Sequence, residues 1–436
     1  MNYYVLATSG RVLLFFSFVI LLPVPIALSQ GENYLPFVLA FLLTSAVATT
    51  FILVSRKERF ELVTEKDAYV SVAMIWLLIP VFGSIPFLFY ANPLDAFFES
   101  MSGFTTTGMS VLIPELLPKS ILFWRSFIQW LGGFGIVVLA LIFLPEVSRR
   151  QTLFYAEYPG VVLPKIKPKT RDVALTIFQL YLTLTLFEVM LLYLLGLDLF
   201  NAVLHSFTTI STGGFSTSSE SVAKFGDARI EALIAFFAFV GGMNFALVYA
   251  FTNKQLRSLA DLEFRVYVAI VAIATLTVAI LNLEHYGDFL RSLRFSGFQV
   301  VSFVTTTGFT TANVNEWSSS AKMVLLILML IGGCSGSTAG GLKIVRFVIL
   351  LKYVVTQTYK LIEPRTVRSI RYGSYALDKG VIEEIVTFFI LYAFIFFLFN
   401  PASNAHGLRI RSISVPFSFK PRKRRSSLLF LEPCRA

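Results

Sequence analysis

Three short segments of this 436-residue chain repeat one chemical theme: SGFTTTGMS (102–110), TTISTGGFST (208–217) and SFVTTTGFTT (302–311). Each centres on a glycine preceded by Thr or Ser, and each lies between two long apolar runs. The central glycines, Gly108, Gly213 and Gly308, fall about 100 residues apart, the signature of an internally duplicated chain. A glycine and threonine loop held at membrane depth offers backbone carbonyls to an ion with little side-chain bulk in the way, which is how a cation filter is built. The residues in line to present those carbonyls are Thr106, Thr107 and Gly108; Ser211, Thr212 and Gly213; and Thr306, Thr307 and Gly308. The chemistry implied is a pathway for a cation of the potassium type. A closed ring calls for four such segments, and three are found here.

A second motif, GGCSGSTAGGLKIVR (332–346), interrupts what would otherwise be one long helix over 323–351. Its first ten residues are all small: Gly332, Gly333, Cys334, Ser335, Gly336, Ser337, Thr338, Ala339, Gly340 and Gly341. Glycine inside a helix costs about 1 kcal/mol relative to alanine, so five glycines here predict an unwound stretch. A flexible segment just inside a filter could act as a gate. Lys343 and Arg346 follow it toward the cytoplasmic mouth, either as part of that gate or as anchors snorkelling to the interface. Cys334 reads as a small packing residue.

These motifs must be positioned by membrane-embedded helices. The chain is 56% apolar and 15% aromatic, with mean hydropathy +0.73, and runs of about 20 apolar residues span a bilayer. About nine spans are expected, over 12–27, 35–54, 70–90, 123–144, 173–195, 231–251, 266–281, 323–351 and 382–399. Before each Thr-Gly segment lies an amphipathic stretch too short to cross (94–101, 202–207 and 295–301), read as a half-helix entering from outside and ending at the loop. Helix C-termini carry about half a negative charge, so three such ends aimed at one point favour a cation. Glycine pairs follow at matched distances: Gly108 to Gly132 is 24 residues, Gly213 to Gly241 is 28 and Gly308 to Gly332 is 24. Small residues let membrane helices pack closely, so the pairs suggest one packing geometry repeated around an axis. Arg149, Arg150, Lys165, Lys167, Lys169 and Arg171 fill one connection, and Lys352, Lys360, Arg365, Arg368, Arg371 and Lys379 another. The positive-inside rule makes these cytoplasmic, with the N-terminus inside and all three Thr-Gly segments outside.

Other chemistries find little support. Two distant cysteines and three scattered histidines give neither a disulfide framework nor a metal-ligand spacing. No carboxylate pair, Ser-His-Asp set or Walker loop is present, so an enzyme is not expected. Residues 401–436 hold eight basic residues against Glu432 alone, a balance of +7 within the net +11. The basic excess is thus mostly a property of the tail, and nucleic-acid binding is not expected. Among intramembrane ionisable residues, Glu188 and Arg125 stand out. Arg125, Glu99 and Asp95 either pair to brace the first loop or form a solvated rim.

The motifs FTTTGMS, ISTGGFST and TTTGFTT, with GGCSGSTAGGLKIVR after the third, resemble the Trk/Ktr/HKT superfamily of potassium transporters over residues 5–400. The two extra spans before the first repeat are similar to its TrkH type. The resemblance implies an all-α polytopic membrane protein, with helix–pore loop–helix units around a pseudo-fourfold pore. It implies two N-terminal helices (1–62), pore units at 63–150, 151–255 and 256–360, the first helix of a fourth unit (361–400), and an aberrant basic tail (401–436). It further implies potassium uptake across the cell inner membrane, the nine carbonyl-bearing residues above lining the ion sites, and residues 332–341 as an intramembrane gating loop. Its expected associations are K+ as the transported ion with no covalently bound cofactor, membrane lipid, a second copy in a homodimer, and a cytosolic nucleotide-binding regulatory subunit of the TrkA type. The chain departs from the family where a fourth pore loop and closing helix belong: residues 401–436 have no Gly-rich filter and no long apolar run. A frameshifted or truncated gene would account for that departure. The alternative function is then a non-conducting membrane remnant or subunit.

Overall fold

In hydrocarbon every backbone N–H and C=O must find a partner within the protein, and helices satisfy that demand locally. The apolar runs of this chain accordingly fold as helices in a computed structural model, which describes residues 3–55, 65–135, 170–252, 261–363, 370–372, 375–377 and 379–399. Among the described residues, five helices are long and apolar enough to cross a membrane: Tyr3–Gln30, Leu35–Ser55, Lys66–Phe89, Asp172–Leu194 and Leu262–Leu281. A bent pair, Ala228–Gly241 with Phe245–Thr252, makes a sixth if counted as one span. The basic connection at 136–169, the basic residues at 254, 257, 365 and 368, and the tail at 400–436 lie outside the described residues.

Tyr3–Val19 and Leu35–Ser55 pack as a hairpin, tightly enough that a Cβ on Gly10 would sit 2.9 Å from Phe51 Cβ. The hairpin closes over Trp124, whose ring lies near Phe16 and Phe37 and whose indole N–H donates to Gly83 O at 3.1 Å. Glu32, at the turn of the hairpin, accepts from the amides of Lys119 and Ser120 at 2.8 and 2.9 Å and so caps the helix Lys119–Phe134. That donation satisfies amides with no intrahelical partner.

Three successive units share one order: a long first helix, a short middle helix, a loop, and a last helix. The first helices are Glu65–Gly83, Thr170–Leu194 and Leu262–Leu281. The middle helices are Pro93–Phe104, Leu199–Ile210 and Phe289–Val304. Each is longer than its apolar core implied: it runs three residues further at the C-terminus and starts one, three and six residues earlier behind a polar cap. Asn92, Asp198 and Asp288 each accept an amide hydrogen bond from the first turn, a contribution of about 1 kcal/mol per cap. After the third unit the described residues include one further helix, Lys379–Phe399, preceded by a small hairpin pairing Arg371–Tyr372 with Tyr375–Ala376.

The last helices all stop near the glycine pair. The first runs from Lys119 to Phe134 and ends at Gly135, whose φ is 77°, and the residues after it lie outside the described ones. In the second, residues 231–251 are not the single span their hydropathy suggested, for the chain bends by 106° between Gly241 and Phe245. The bend frees Gly241 O and Gly242 O, and amides of the 332–343 segment take them up: Cys334 N donates to Gly242 O at 2.9 Å and Thr338 N to Gly241 O at 3.3 Å. In the third, helix stops at Ile331 and resumes at Ile344, as the glycine content predicts. The two interruptions therefore complete each other's hydrogen bonds.

Candidate functional site

The three middle helices end alike. Thr105, Ser211 and Thr305 cap their C-termini, and the next residue in each loop is a threonine with left-handed φ: Thr106 at 53°, Thr212 at 51° and Thr306 at 56°. A β-branched residue rarely tolerates that region, and such outliers cluster at functional sites. Two residues on comes a left-handed glycine: Gly108 at 76°, Gly214 at 78° and Gly308 at 82°. The loop amides repeat as well, with Thr107 N to Ser102 O, Gly213 N to Thr208 O and Thr307 N to Ser302 O, all at 2.9 Å. The second loop is therefore in register as Thr212, Gly213 and Gly214, one residue later than the sequence spacing indicated. Ser211 belongs with Thr105 and Thr305 at the helix ends.

The loops lie edge to edge. A Cβ on Gly108 would come within 2.0 Å of Gly213 O, and one on Gly214 within 1.8 Å of Thr307 O. The first loop thus abuts the second, and the second abuts the third, through matching glycine and carbonyl positions. At Gly308 nothing among the described residues lies within 4 Å of the same position. Around these loops the second glycine of the first two pairs lets neighbouring units close. Gly133 faces Ser211 and the Tyr181 hydroxyl, and Gly242 faces Thr305 and the Tyr267 hydroxyl. Tyr181 donates to Trp130 O and Tyr267 to Phe239 O, each at 3.0 Å and each three residues before the glycine.

One repeated position of the middle helix carries a different side chain in each unit, and in the first two it braces the loop. Glu99 accepts from the Ser110 hydroxyl at 2.9 Å and from Val111 N at 3.1 Å. His205 takes the same place in the second unit: its Nδ1 donates to Asn201 O at 2.9 Å, leaving Nε2 to accept from Ser216 Oγ at 3.2 Å. Gln299 is their counterpart in the third, buried, with neither amide atom hydrogen-bonded. Arg125 pairs with Glu99 at 2.7 Å, donates to Ser216 O at 3.2 Å and covers the Phe215 ring at 4.3 Å. Of the two options open for Arg125, the structure takes the buried brace, and Asp95 bonds instead with Asn92. Past the first loop Glu115 accepts from Ser219 N, Ser219 Oγ and Ser218 Oγ at 2.6, 2.7 and 3.1 Å, tying the first unit to the second. Burial alone would push its carboxyl up, but these bonds outweigh the burial, so the carboxyl sits below the usual glutamate range.

Beneath the loops lies the 332–343 segment. Gly340 N donates to Thr306 Oγ1 at 2.7 Å. The Thr338 hydroxyl lies 2.9 Å from Ile210 O and 3.0 Å from Gly241 O, and it accepts from Thr212 Oγ1 at 3.2 Å. Gly332 and Gly341 must be glycines, since a Cβ on Gly332 would lie 2.1 Å from Gly340 O and one on Gly341 2.6 Å from Gly332 Cα. Gly333 and Cys334 are buried against the bend at Gly242, and Gly336 faces Asn244. Ser335 N donates to Glu263 at 2.6 Å, and Ser337 Oγ to Cys334 O at 2.6 Å. Lys343 does not snorkel outward. Its ammonium turns back onto Ala339 O, also 3.5 Å from Ser337 O, and its φ is 73°. Ala339 is buried, whereas Arg346 stands apart on the following helix over the Phe388 ring at 4.3 Å.

Glu263, Gln129, His205 and Gln299 are missing from the residues singled out by sequence, and Glu99 is named there as a brace for the first loop but not as one of a repeated series. Aligning the units on Ser102, Thr208 and Ser302 exposes the series, always three residues earlier. Chemically, three helix C-termini and three loops of glycine and threonine backbone meet here, an environment that favours a cation.

The TrkH model, described as a cation transport protein family, matches residues 36–405. The chain is 35% identical to the Trk system potassium uptake protein TrkH of Escherichia coli (strain K12) over 415 residues, covering 92% of this chain and 85% of that one. It is 30% identical to the TrkG protein of the same strain, with 91% and 84% covered. An uncharacterized cation transporter of Methanocaldococcus jannaschii shares 37% identity over 76% of this chain and 68% of its own length. Among solved structures, the potassium transporter TrkH from Vibrio parahaemolyticus superposes with a TM-score of 0.80 at 32% identity, covering 91% and 85% of the two chains.

Proposed function

Because this chain belongs to the TrkH family of cation transport proteins, we propose that it carries potassium into the cell along an axis bounded by its three Thr-Gly loops. The observation that carries this reading is the repeated left-handed threonine and glycine, with each loop's glycine set against the next loop's carbonyl. A cation entering from outside would exchange its water for carbonyl oxygens of Thr106, Thr107 and Gly108, of Thr212, Gly213 and Gly214, and of Thr306, Thr307 and Gly308. The helix ends at Thr105, Ser211 and Thr305 would add to the favourable potential. Residues 332–341, with Lys343, would form the gate beneath, and Arg346 would lie below it.

On this reading residues 1–62 brace three pore units at 63–150, 151–255 and 256–360, with 361–400 opening a fourth. The N-terminus is cytoplasmic, the membrane is the inner membrane, and the protein works as a homodimer under a cytosolic nucleotide-binding subunit of the TrkA type. Support for these features comes from the family resemblance and from the cytoplasmic bias of the basic connections. The test is rubidium uptake into proteoliposomes reconstituted with the whole chain. Flux above that of empty liposomes, competed by potassium, is expected. No flux would overturn the reading in favour of a non-conducting subunit.

A further inference from the structure

The three loops are not braced in the same way, and the difference points to a residue outside them. In the first loop the hydroxyls of Thr105 and Thr107 pair at 2.8 Å; in the third, those of Thr305 and Thr307 pair at 2.7 Å. Each pair ties the helix end to the residue before the left-handed glycine. In the second loop the corresponding residues are Ser211 and Gly213. Gly213 has no side chain, and the Ser211 hydroxyl is buried without a partner.

Glycine is not required at this place by the backbone, for Gly213 is absent from the left-handed residues that include Gly108, Gly214 and Gly308. What fills the place of a side chain there is Gln129. A Cβ on Gly213 would fall 2.5 Å from Gln129 Cδ and 2.6 Å from its Oε1. Gln129 reaches the second loop from the last helix of the first unit and is fully buried. Its Nε2 donates to Gly213 O at 2.8 Å and its Oε1 accepts from Phe215 N at 2.9 Å. One amide thus clasps the loop on both sides of Gly214. The same Gly213 carbonyl is the one that faces Gly108 across the ring.

We propose that Gln129 is a positioning residue for ion selectivity. From a neighbouring unit it supplies the brace that a threonine pair supplies inside the first and third loops. A merely satisfied core glutamine would need neither the missing side chain at Gly213 nor bonds to two backbone groups of one loop. The proposal rests on the reading of the loops as the ion pathway.

The test measures rubidium uptake and its competition by sodium in proteoliposomes of the whole chain. Three variants are compared: Gln129→Leu, Gly213→Thr and the double variant Gln129→Ala/Gly213→Thr. Loss of the clasp is expected to lower discrimination against sodium about tenfold in Gln129→Leu, the scale of two lost hydrogen bonds. Gly213→Thr alone should fail by collision with Gln129. The double variant should regain selectivity, because the new hydroxyl can pair with Ser211 where the amide stood. Wild-type flux and unchanged selectivity in Gln129→Leu would overturn the proposal alone. Absence of rubidium flux in the wild type would overturn the ion-pathway reading and the proposal with it. If Gln129→Leu does not accumulate in membranes, the double variant decides: recovery of protein and selectivity supports the proposal, and failure of both overturns it.

Discussion

The amide of Gly340 and the hydroxyl of Thr306 are 2.7 Å apart, a single hydrogen bond joining the glycine-rich segment to the third loop. Thr338 makes the corresponding tie to the second loop through Thr212, at 3.2 Å. Two of the three left-handed threonines are thus held from below by the segment proposed as the gate. Displacing that segment would break bonds to the loops, so its position and their geometry are energetically coupled.

Thr338→Val keeps the shape of the side chain and removes its one donation, shared between Ile210 O and Gly241 O, together with its acceptance from Thr212. Each lost bond is worth about 1 kcal/mol, so the segment should leave this position more often. Initial rubidium rates in proteoliposomes without a regulatory subunit should rise about fivefold or more, while Thr338→Ser stays near wild type. An equal or lower rate at matched protein density would detach Thr338 from gating.

Alanine at the three left-handed glycines should not act equally. At Gly214 and Gly108 the new methyl meets a neighbouring carbonyl at 1.8 and 2.0 Å, distances no side chain can adjust to. At Gly308 the penalty visible is the left-handed backbone alone, about 1–2 kcal/mol for a residue with a Cβ. Gly308→Ala should therefore retain measurable rubidium uptake, with Gly108→Ala and Gly214→Ala about tenfold or more below it, since 1.4 kcal/mol corresponds to a factor of ten. Equal losses at all three would speak against the edge-to-edge packing.

What the sequence carried and what it withheld follow from local physics. The loops and the break at 332–343 were legible because glycine, threonine and serine inside apolar runs have few other uses. The register of the second loop was not, since STGG offers two adjacent glycines and composition does not tell which one turns left-handed. The 106° bend after Gly241 was hidden for a related reason: the hydropathy of 231–251 is continuous. Only the partner segment 332–343, about 90 residues away in sequence, supplies the bonds that let the helix break. Gln129 had no local signature at all, because its meaning lies in the empty place at Gly213.

The Arg125–Glu99 pair is almost wholly excluded from solvent, with side-chain exposures of 2% and 0%. Removing one member of such a pair strands the other and costs about 3–5 kcal/mol. Arg125→Met should sharply lower the melting temperature of the detergent-purified protein. Adding Glu99→Gln should restore a large part of the loss, because the stranded charge is then gone. A single variant as stable as the wild type would show that the pair does not brace the loop.

Glu115 gives a pH dependence whose sign can be worked out. Its carboxylate is held below the usual range by bonds from Ser219 and Ser218 that outweigh partial burial. A group whose folded value is depressed binds protons more readily when unfolded, so it stabilises the fold above the unfolded value of about 4.3. That contribution is lost as pH falls from there through the lower folded value. Between pH 6 and pH 5 the wild type should show little change from this group, and below about pH 4.3 the tie between the first two units should weaken. Other carboxylates titrate in the same window, so the informative quantity is the difference between wild type and Glu115→Gln. The melting temperatures should lie farthest apart near neutral pH and converge as the pH approaches 3. A constant gap across that range would mean that the serine bonds do not favour the charged form, and that Glu115 joins the units by shape alone.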